Sequence, residues 1–231
     1  MIRTAKTSPK MIGAVTIGQT PRDDIVPELS AALGAQCKIL QVGALDGLSE
    51  AEIDAQGGKL GRGLIVTRLR TGAEVRVKES FVTRRFGNCV SDLQDRVDMI
   101  LVLCTGDLPP IRTQSPILYP GRILRSVTQS LEVNCLGVLT PAAEQMRAQR
   151  RRWRGLARQV VVAHASPYGP LEEFAQAAQE IRHGNPDVVV MDCIGYTRKM
   201  QQTVRDNLNL PVLSALSLLA RVANEILGSA D

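Results

Sequence analysis

Two apolar, strand-like runs in this chain each end on a cysteine: Met99-Ile-Leu-Val-Leu-Cys104-Thr-Gly and Val188-Val-Val-Met-Asp-Cys193-Ile-Gly-Tyr. Two thiols facing one carbon can remove its proton and return one on the opposite face, because a thiolate is a competent base near neutral pH. The pattern therefore points to proton transfer at an acidic carbon. Cysteine also fills apolar strand interiors, so position has to decide between the two uses. Both thiols stand immediately before polar or glycine-containing turns, Thr105-Gly106-Asp107 and Ile194-Gly195-Tyr196-Thr197. A helix N-terminus beside such a turn favours the thiolate. Cys37, Cys89 and Cys135 fall at strand starts or inside a helical pattern and read as structural.

Other strand ends carry donors suited to an anion. The turn Thr16-Ile17-Gly18-Gln19-Thr20-Pro21-Arg22 offers backbone N–H groups, and the Arg22 fork matches a carboxylate. Thr105, Gly106, Thr140, Ser166, Gly195 and Tyr196 add hydroxyls and amides at further strand ends. Neither G-x-G-x-x-G nor G-x-x-x-x-G-K occurs, so no nucleotide-phosphate loop is expected. His164 reads as a satisfied strand-end histidine rather than a base. Asp192 precedes Cys193 on an extended segment, faces the other way, and is expected to anchor a neighbouring backbone amide.

Positioning these groups requires alternating strands and helices. Strand-like runs at Ile12–Ile17, Cys37–Val42, Leu136–Thr140 and Gln159–His164 join the two cysteine runs, with a hairpin over Leu64–Leu69 and Glu74–Lys78. Helical periodicity starts at Asp23-Asp24 and covers Ile25, Leu29 and Leu33. It returns over Leu48–Gln56 with Ser49 as cap, over Ser80–Asp95 and over Arg122–Leu131, and Pro141 opens a further helix. Leu171–His183, Arg198–Leu208 and Ser217–Leu227 complete the helices, with a short strand at Pro211–Ser214. The apolar runs lack period-2 alternation, as strands covered on both faces do. This predicts an α/β fold of two Rossmann-like lobes with mainly parallel sheets and an active-site cleft between them. Residues 1–113 plus 211–231 form the expected first lobe and 114–210 the second.

Composition narrows the function classes. The 231 residues suffice for a full core, and 44% hydrophobic with 22% charged residues is ordinary for a globular protein. Aromatics are only 3%, against base-stacking surfaces. No apolar run reaches the ~20 residues of a membrane span, and residues 1–10 lack a signal-peptide core, which points to the cytoplasm. The cysteines show no C-x-x-C pair and only two histidines are present, so no metal site is expected. Arg147, Arg150, Arg151, Arg152, Arg154 and Arg158 crowd around Trp153. They read as a solvated helix and the loop after it, since no companion motif or second basic stripe supports a nucleic-acid partner.

On these residues the chain resembles the AroM family, most clearly at Thr16-Ile17-Gly18, Asp98–Thr105, Asp192-Cys193-Ile194-Gly195-Tyr196 and from Pro211 through Arg221. That family is similar in fold to the aspartate/glutamate racemase group, which includes hydantoin racemase, maleate isomerase and arylmalonate decarboxylase. The resemblance implies Cys104 and Cys193 as the paired catalytic cysteines, no cofactor, and a small carboxylate or amino-acid-like substrate. It also implies homodimers, which are common in that group, and a link to aromatic amino-acid metabolism. Racemases of the group follow their first cysteine with Asn-Thr and their second with Thr-His. Here Thr105-Gly106 and Ile194-Gly195 stand instead. Three readings stay open: a two-cysteine racemase or isomerase, a single-cysteine isomerase or decarboxylase, and a non-catalytic carboxylate-binding protein.

Overall fold

The structure, a computed structural model, describes residues 8–57 and 64–228. Most of the amino-terminal stretch read for a leader, residues 1–7, lies outside them. Two compact units divide the chain, one comprising Met1–Leu103, Leu108–Leu118 and Ala223–Asp231, the other Cys104–Asp107 and Tyr119–Val222.

In the first unit the strands are β1 (Lys10–Thr16), β2 (Cys37–Gly43), β5 (Met99–Leu103) and β6 (Ile117–Leu118), all parallel in the order β2-β1-β5-β6. All five residues of β5 are buried, which explains its unbroken apolar run. A separate antiparallel hairpin joins β3 (Leu64–Arg68) to β4 (Glu74–Lys78). The helices are α1 (Val26–Leu33), α2 (Glu50–Asp54) and α3 (Glu79–Leu93). Ser49 caps α2 in a reciprocal capping box with Glu52, as its position predicts. The first helix begins later than its acidic residues suggest. Asp24 is held outside it by Arg22, whose Nε and Nη2 donate to the two carboxylate oxygens at 2.9 and 2.8 Å.

The second unit contains α4 (Pro120–Ser130), β7 (Cys135–Thr140), α5 (Met146–Trp153), β8 (Gln159–His164), α6 (Leu171–Arg182), β9 (Val188–Met191), α7 (Arg198–Leu208) and β10 (Val212–Ser214), and α8 (Ala215–Leu227) starts within it. Its sheet is also wholly parallel, in the order β10-β9-β7-β8. Pro141 does not open α5, because Ala142 is extended and a 3-10 turn over Ala143–Gln145 comes first. Residues 211–231, expected with the first lobe, divide. β10 pairs with β9 in the second unit, while Ala223–Asp231 fall in the first, where Asn224 donates to the Ala32 carbonyl at 2.8 Å.

Apolar faces of α6 and α7 bury Phe174, Ala177, Ala178, Ile181, Val204 and Leu208 with Leu139, Val189 and Met191 of the second sheet. The residue at 196 belongs to this core rather than to a ligand surface. The Tyr196 ring is fully buried, meets Phe174 edge-to-face at 5.4 Å, and its hydroxyl donates to the Ala165 carbonyl at 2.8 Å. Among the described residues no helix is long and apolar enough to cross a membrane.

Candidate active site

Parallel strands present all their carboxyl ends at one sheet edge, where ligands of open α/β sheets bind. In the second unit that edge carries Thr140 after β7, Ala165-Ser166 after β8, and Asp192-Cys193 after β9. The strand stops short of the cysteine: Met191 ends β9, and the Asp192 amide donates to the Leu139 carbonyl at 2.9 Å before the chain turns. Likewise β5 ends at Leu103, one residue before Cys104.

The segment Cys104–Asp107 sits against the same edge. The Thr105 hydroxyl donates to the Asp192 carbonyl at 3.3 Å, so the residue after one cysteine bonds the residue before the other. Each sulfur also accepts an N–H from the glycine two residues on, Gly106 to Cys104 at 3.3 Å and Gly195 to Cys193 at 3.4 Å. An N–H aimed at sulfur stabilises negative charge there. Both thiols are half-buried, whereas Cys37, Cys89 and Cys135 are buried.

Arg152 and Trp153, consecutive at the end of α5, hold this arrangement. Arg152 Nη1 donates to Asp192 Oδ2 at 2.7 Å, and its Nη2 donates to the Thr105 carbonyl at 2.6 Å and pairs with Asp107 at 3.1 Å. Trp153 Nε1 donates to the same Asp192 oxygen at 2.9 Å. Asp192 therefore anchors a guanidinium and an indole, not the backbone amide expected of it. Burial pushes its carboxyl above the usual range, against the opposing pull of Arg152, Trp153 and Thr105. Arg125 stacks its guanidinium 5.5 Å from the Trp153 ring centroid and donates to the Arg152 carbonyl. Gly121 in the first turn of α4 completes the support. A Cβ there would lie 2.3 Å from the Thr105 carbonyl oxygen and 2.8 Å from Arg152 Nη2.

The remaining expected residues are placed as follows. The Thr140 hydroxyl donates to Gln145 Oε1 at 3.0 Å, and Ser166 Oγ accepts from the Tyr168 amide at 3.2 Å. Burial holds the Tyr196 phenol well above its ordinary range, with Cys193, Asp192 and Glu173 acting in the same direction. His164 ends β8 exposed. Thr16, Gly18, Gln19, Thr20 and Arg22 lie in the first unit, and the donors expected to face a substrate there have partners inside that unit. The amides of Gly18, Gln19 and Thr20 donate to Thr16 Oγ1, the Arg68 carbonyl and Asp46 Oδ1. The Gln19 side chain donates to the Leu45 and Leu48 carbonyls, and Arg22 adds a bond to Thr16 Oγ1 to its grip on Asp24. Among the described residues no cluster of three or more His, Cys, Asp or Glu side chains could hold a metal ion.

Sequence reasoning missed Arg152, Trp153 and Gly121. The expectation of a solvated helix and the loop after it describes Arg147, Arg150, Arg151, Arg154 and Arg158, all exposed, but not Arg152. A signal existed: the only tryptophan of the chain lies inside that run, and a buried indole needs a partner for its N–H.

The AroM protein family model matches residues 12–227. The chain belongs to the AroM family. Comparison of this AroM-family chain with curated proteins gives no match. Solved structures show the same fold. The chain is similar to allantoin racemase from Klebsiella pneumoniae, at 14% identity and a TM-score of 0.60 over 96% of this chain and 89% of that one. It is similar to Nocardia farcinica maleate cis-trans isomerase at 15% identity and 0.61, over 95% and 92% of the two chains. Unliganded arylmalonate decarboxylase aligns at 14% identity and 0.61, over 96% and 94%.

Proposed function

We propose that this chain is a cofactor-independent racemase- or isomerase-like enzyme that acts on a small carboxylate through Cys104 and Cys193. The observation that carries the reading is the Thr105–Asp192 hydrogen bond, which brings the two cysteine-bearing loops together inside one unit. The paired N–H···S contacts support it, since a thiolate base needs stabilised charge and a thiol donor needs a fixed direction.

In the step proposed, one sulfur as thiolate takes the proton from the carbon next to the carboxylate. The C–H electron pair moves into the carboxylate as an enediolate, and the other thiol delivers its proton to the opposite face. The first sulfur ends protonated and the second as thiolate, so charge and protons balance with no redox change. Negative charge on the carboxylate oxygens is received by donors at this edge that are not already given to the sulfurs or to protein carbonyls, the Thr105 amide and the Ser166 hydroxyl. That fold neighbours include a racemase, an isomerase and a decarboxylase is consistent with chemistry through a stabilised carbanion.

One observation favours a second reading with a single active cysteine. A cysteine-to-serine mutant of the Nocardia farcinica isomerase carries a covalently bound succinylcysteine intermediate. The adduct in that mutant sits on a cysteine other than the one replaced, so one cysteine suffices for the bond. In the single-cysteine reading of this chain Cys193 acts as nucleophile or proton donor and Cys104 lines the site. The test is a screen of small amino, hydroxy and dicarboxylic acids in deuterium oxide, run beside Cys104→Ser and Cys193→Ser. Deuterium at the carbon next to the carboxylate, lost in both variants with ligand binding retained, is the expected result. No incorporation into any acid by the intact protein, with a tight ligand shift, would replace the enzyme with a carboxylate-binding protein.

A further inference from the structure

We propose that Arg152 is a positioning residue that sets both thiols at once, using Asp192 as its fixed point. The inference rests on the reading that both cysteines act, and it concerns what a largely buried arginine does between the two cysteine-bearing loops. One guanidinium spans the two loops: Nη1 on Asp192, the residue before Cys193, and Nη2 on Thr105, the residue after Cys104. The planar fork makes this bridge rigid, which a lysine ammonium on a flexible stem cannot do.

Three features argue for placement over stability. Arg152 Nε is buried without a hydrogen-bond partner, so the guanidinium gives up part of its hydration unrewarded. A buried ion pair of that kind adds little net stability over a well-packed apolar pair, and its value lies in fixing geometry. Asp192 is itself clamped by Trp153, whose indole is fully buried, so the anchor cannot swing. Finally, Gly121 leaves room for the Thr105 carbonyl to approach α4 while keeping its bond to Arg152. The consequence is that the Cys104 and Cys193 loops share one mechanical support and respond together when it is removed.

The experiment follows alkylation of all five cysteines by peptide mass at fixed pH, in the whole protein and in Arg152→Gln and Arg152→Lys. In Arg152→Gln the rates at Cys104 and Cys193 are expected to change together, each by roughly fivefold or more, while Cys37, Cys89 and Cys135 stay unchanged. In Arg152→Lys, where the ammonium keeps Asp192 but releases Thr105, Cys104 should change and Cys193 should not. Asp192→Asn keeps the side-chain shape and the Trp153 bond, and carries the same test should Arg152→Gln not fold. With a turned-over acid in hand, Arg152→Gln should lower kcat roughly a hundredfold while KM moves little. A lowered unfolding temperature with unchanged rates at both cysteines would make Arg152 a stabilising residue only and overturn the proposal. Since alkylation needs no substrate, failure to find an enzymatic activity would sink the proposed function and leave this comparison standing.

Discussion

Replacing Gly121 by alanine should disturb the site from behind. A Cβ built at this position lies 2.3 Å from the Thr105 carbonyl oxygen, whereas carbon–oxygen contacts settle near ~3.3 Å, so about 1 Å must open between α4 and the Cys104 loop. The obstacle is backbone on one side and the Arg152 guanidinium, 2.8 Å away, on the other, so neither yields cheaply. Overpacking of this kind costs about 1–3 kcal/mol, and the gain from removing a helical glycine returns only about 0.5–1 kcal/mol. A net loss of about 1–2 kcal/mol follows, which lowers the unfolding temperature by roughly 2–8 °C for a chain of this size. Gly87 in α3 is the control: nothing lies within 4 Å of its Cβ direction, so Gly87→Ala should stabilise by about 0.5–1 kcal/mol. Thermal unfolding followed by circular dichroism measures both, and alkylation of Cys104 reports the displaced loop. Stability of Gly121→Ala at or above that of the parent, with Cys104 reacting at its original rate, would refute the reasoning.

Two further predictions concern the titrating groups. Burial would raise the Asp24 carboxyl, but its bond to Arg22 and the charges of Arg22 and Arg68 hold it below the usual range. A carboxyl lowered in the folded state contributes stability above its unfolded value near ~4 and loses it as pH falls through the folded one. Asp24→Asn should therefore cost roughly 2 kcal/mol in urea unfolding at pH 7, with the gap closing in acid; a gap that persists at pH 2 would contradict this. For Cys89, burial pushes the thiol up to about 11. Its alkylation at pH 8 should be slow, should lag well behind that of Cys104 and Cys193, and should quicken only above pH 10 or on unfolding; rapid labelling of the folded protein at pH 8 would sink the assignment of Cys89 as structural.

Much of the fold was legible because its cause is local. Unbroken apolar runs such as Met99–Leu103 mark strands covered on both faces, and the Ser49–Glu52 capping box marks a helix start within four residues. Element starts failed where a side chain found a better partner than the helix: Asp24 stays with Arg22, and the extended Ala142 delays α5. Of the site, the two cysteines and their glycine turns could be read from type and spacing. Their support could not, because Arg152 meets Thr105 and Asp192 from distant parts of the chain, and its neighbours in sequence are ordinary exposed arginines. Tyr196 was misread for the opposite reason. A tyrosine in a turn looks available, and only the packing of Phe174 and the Ala165 carbonyl shows it spoken for.

The claim that two thiols share one proton-transfer step is tested most directly by where solvent deuterium appears first. With a chiral carboxylic acid found in the exchange screen, a single enantiomer is incubated in deuterium oxide and both enantiomers are analysed at low conversion. Two facing thiols predict that the product enantiomer carries deuterium while the recovered starting enantiomer retains hydrogen, and that Cys104→Ser and Cys193→Ser each abolish inversion. Deuterium entering both enantiomers equally from the outset, or full inversion by Cys104→Ser, would contradict the account.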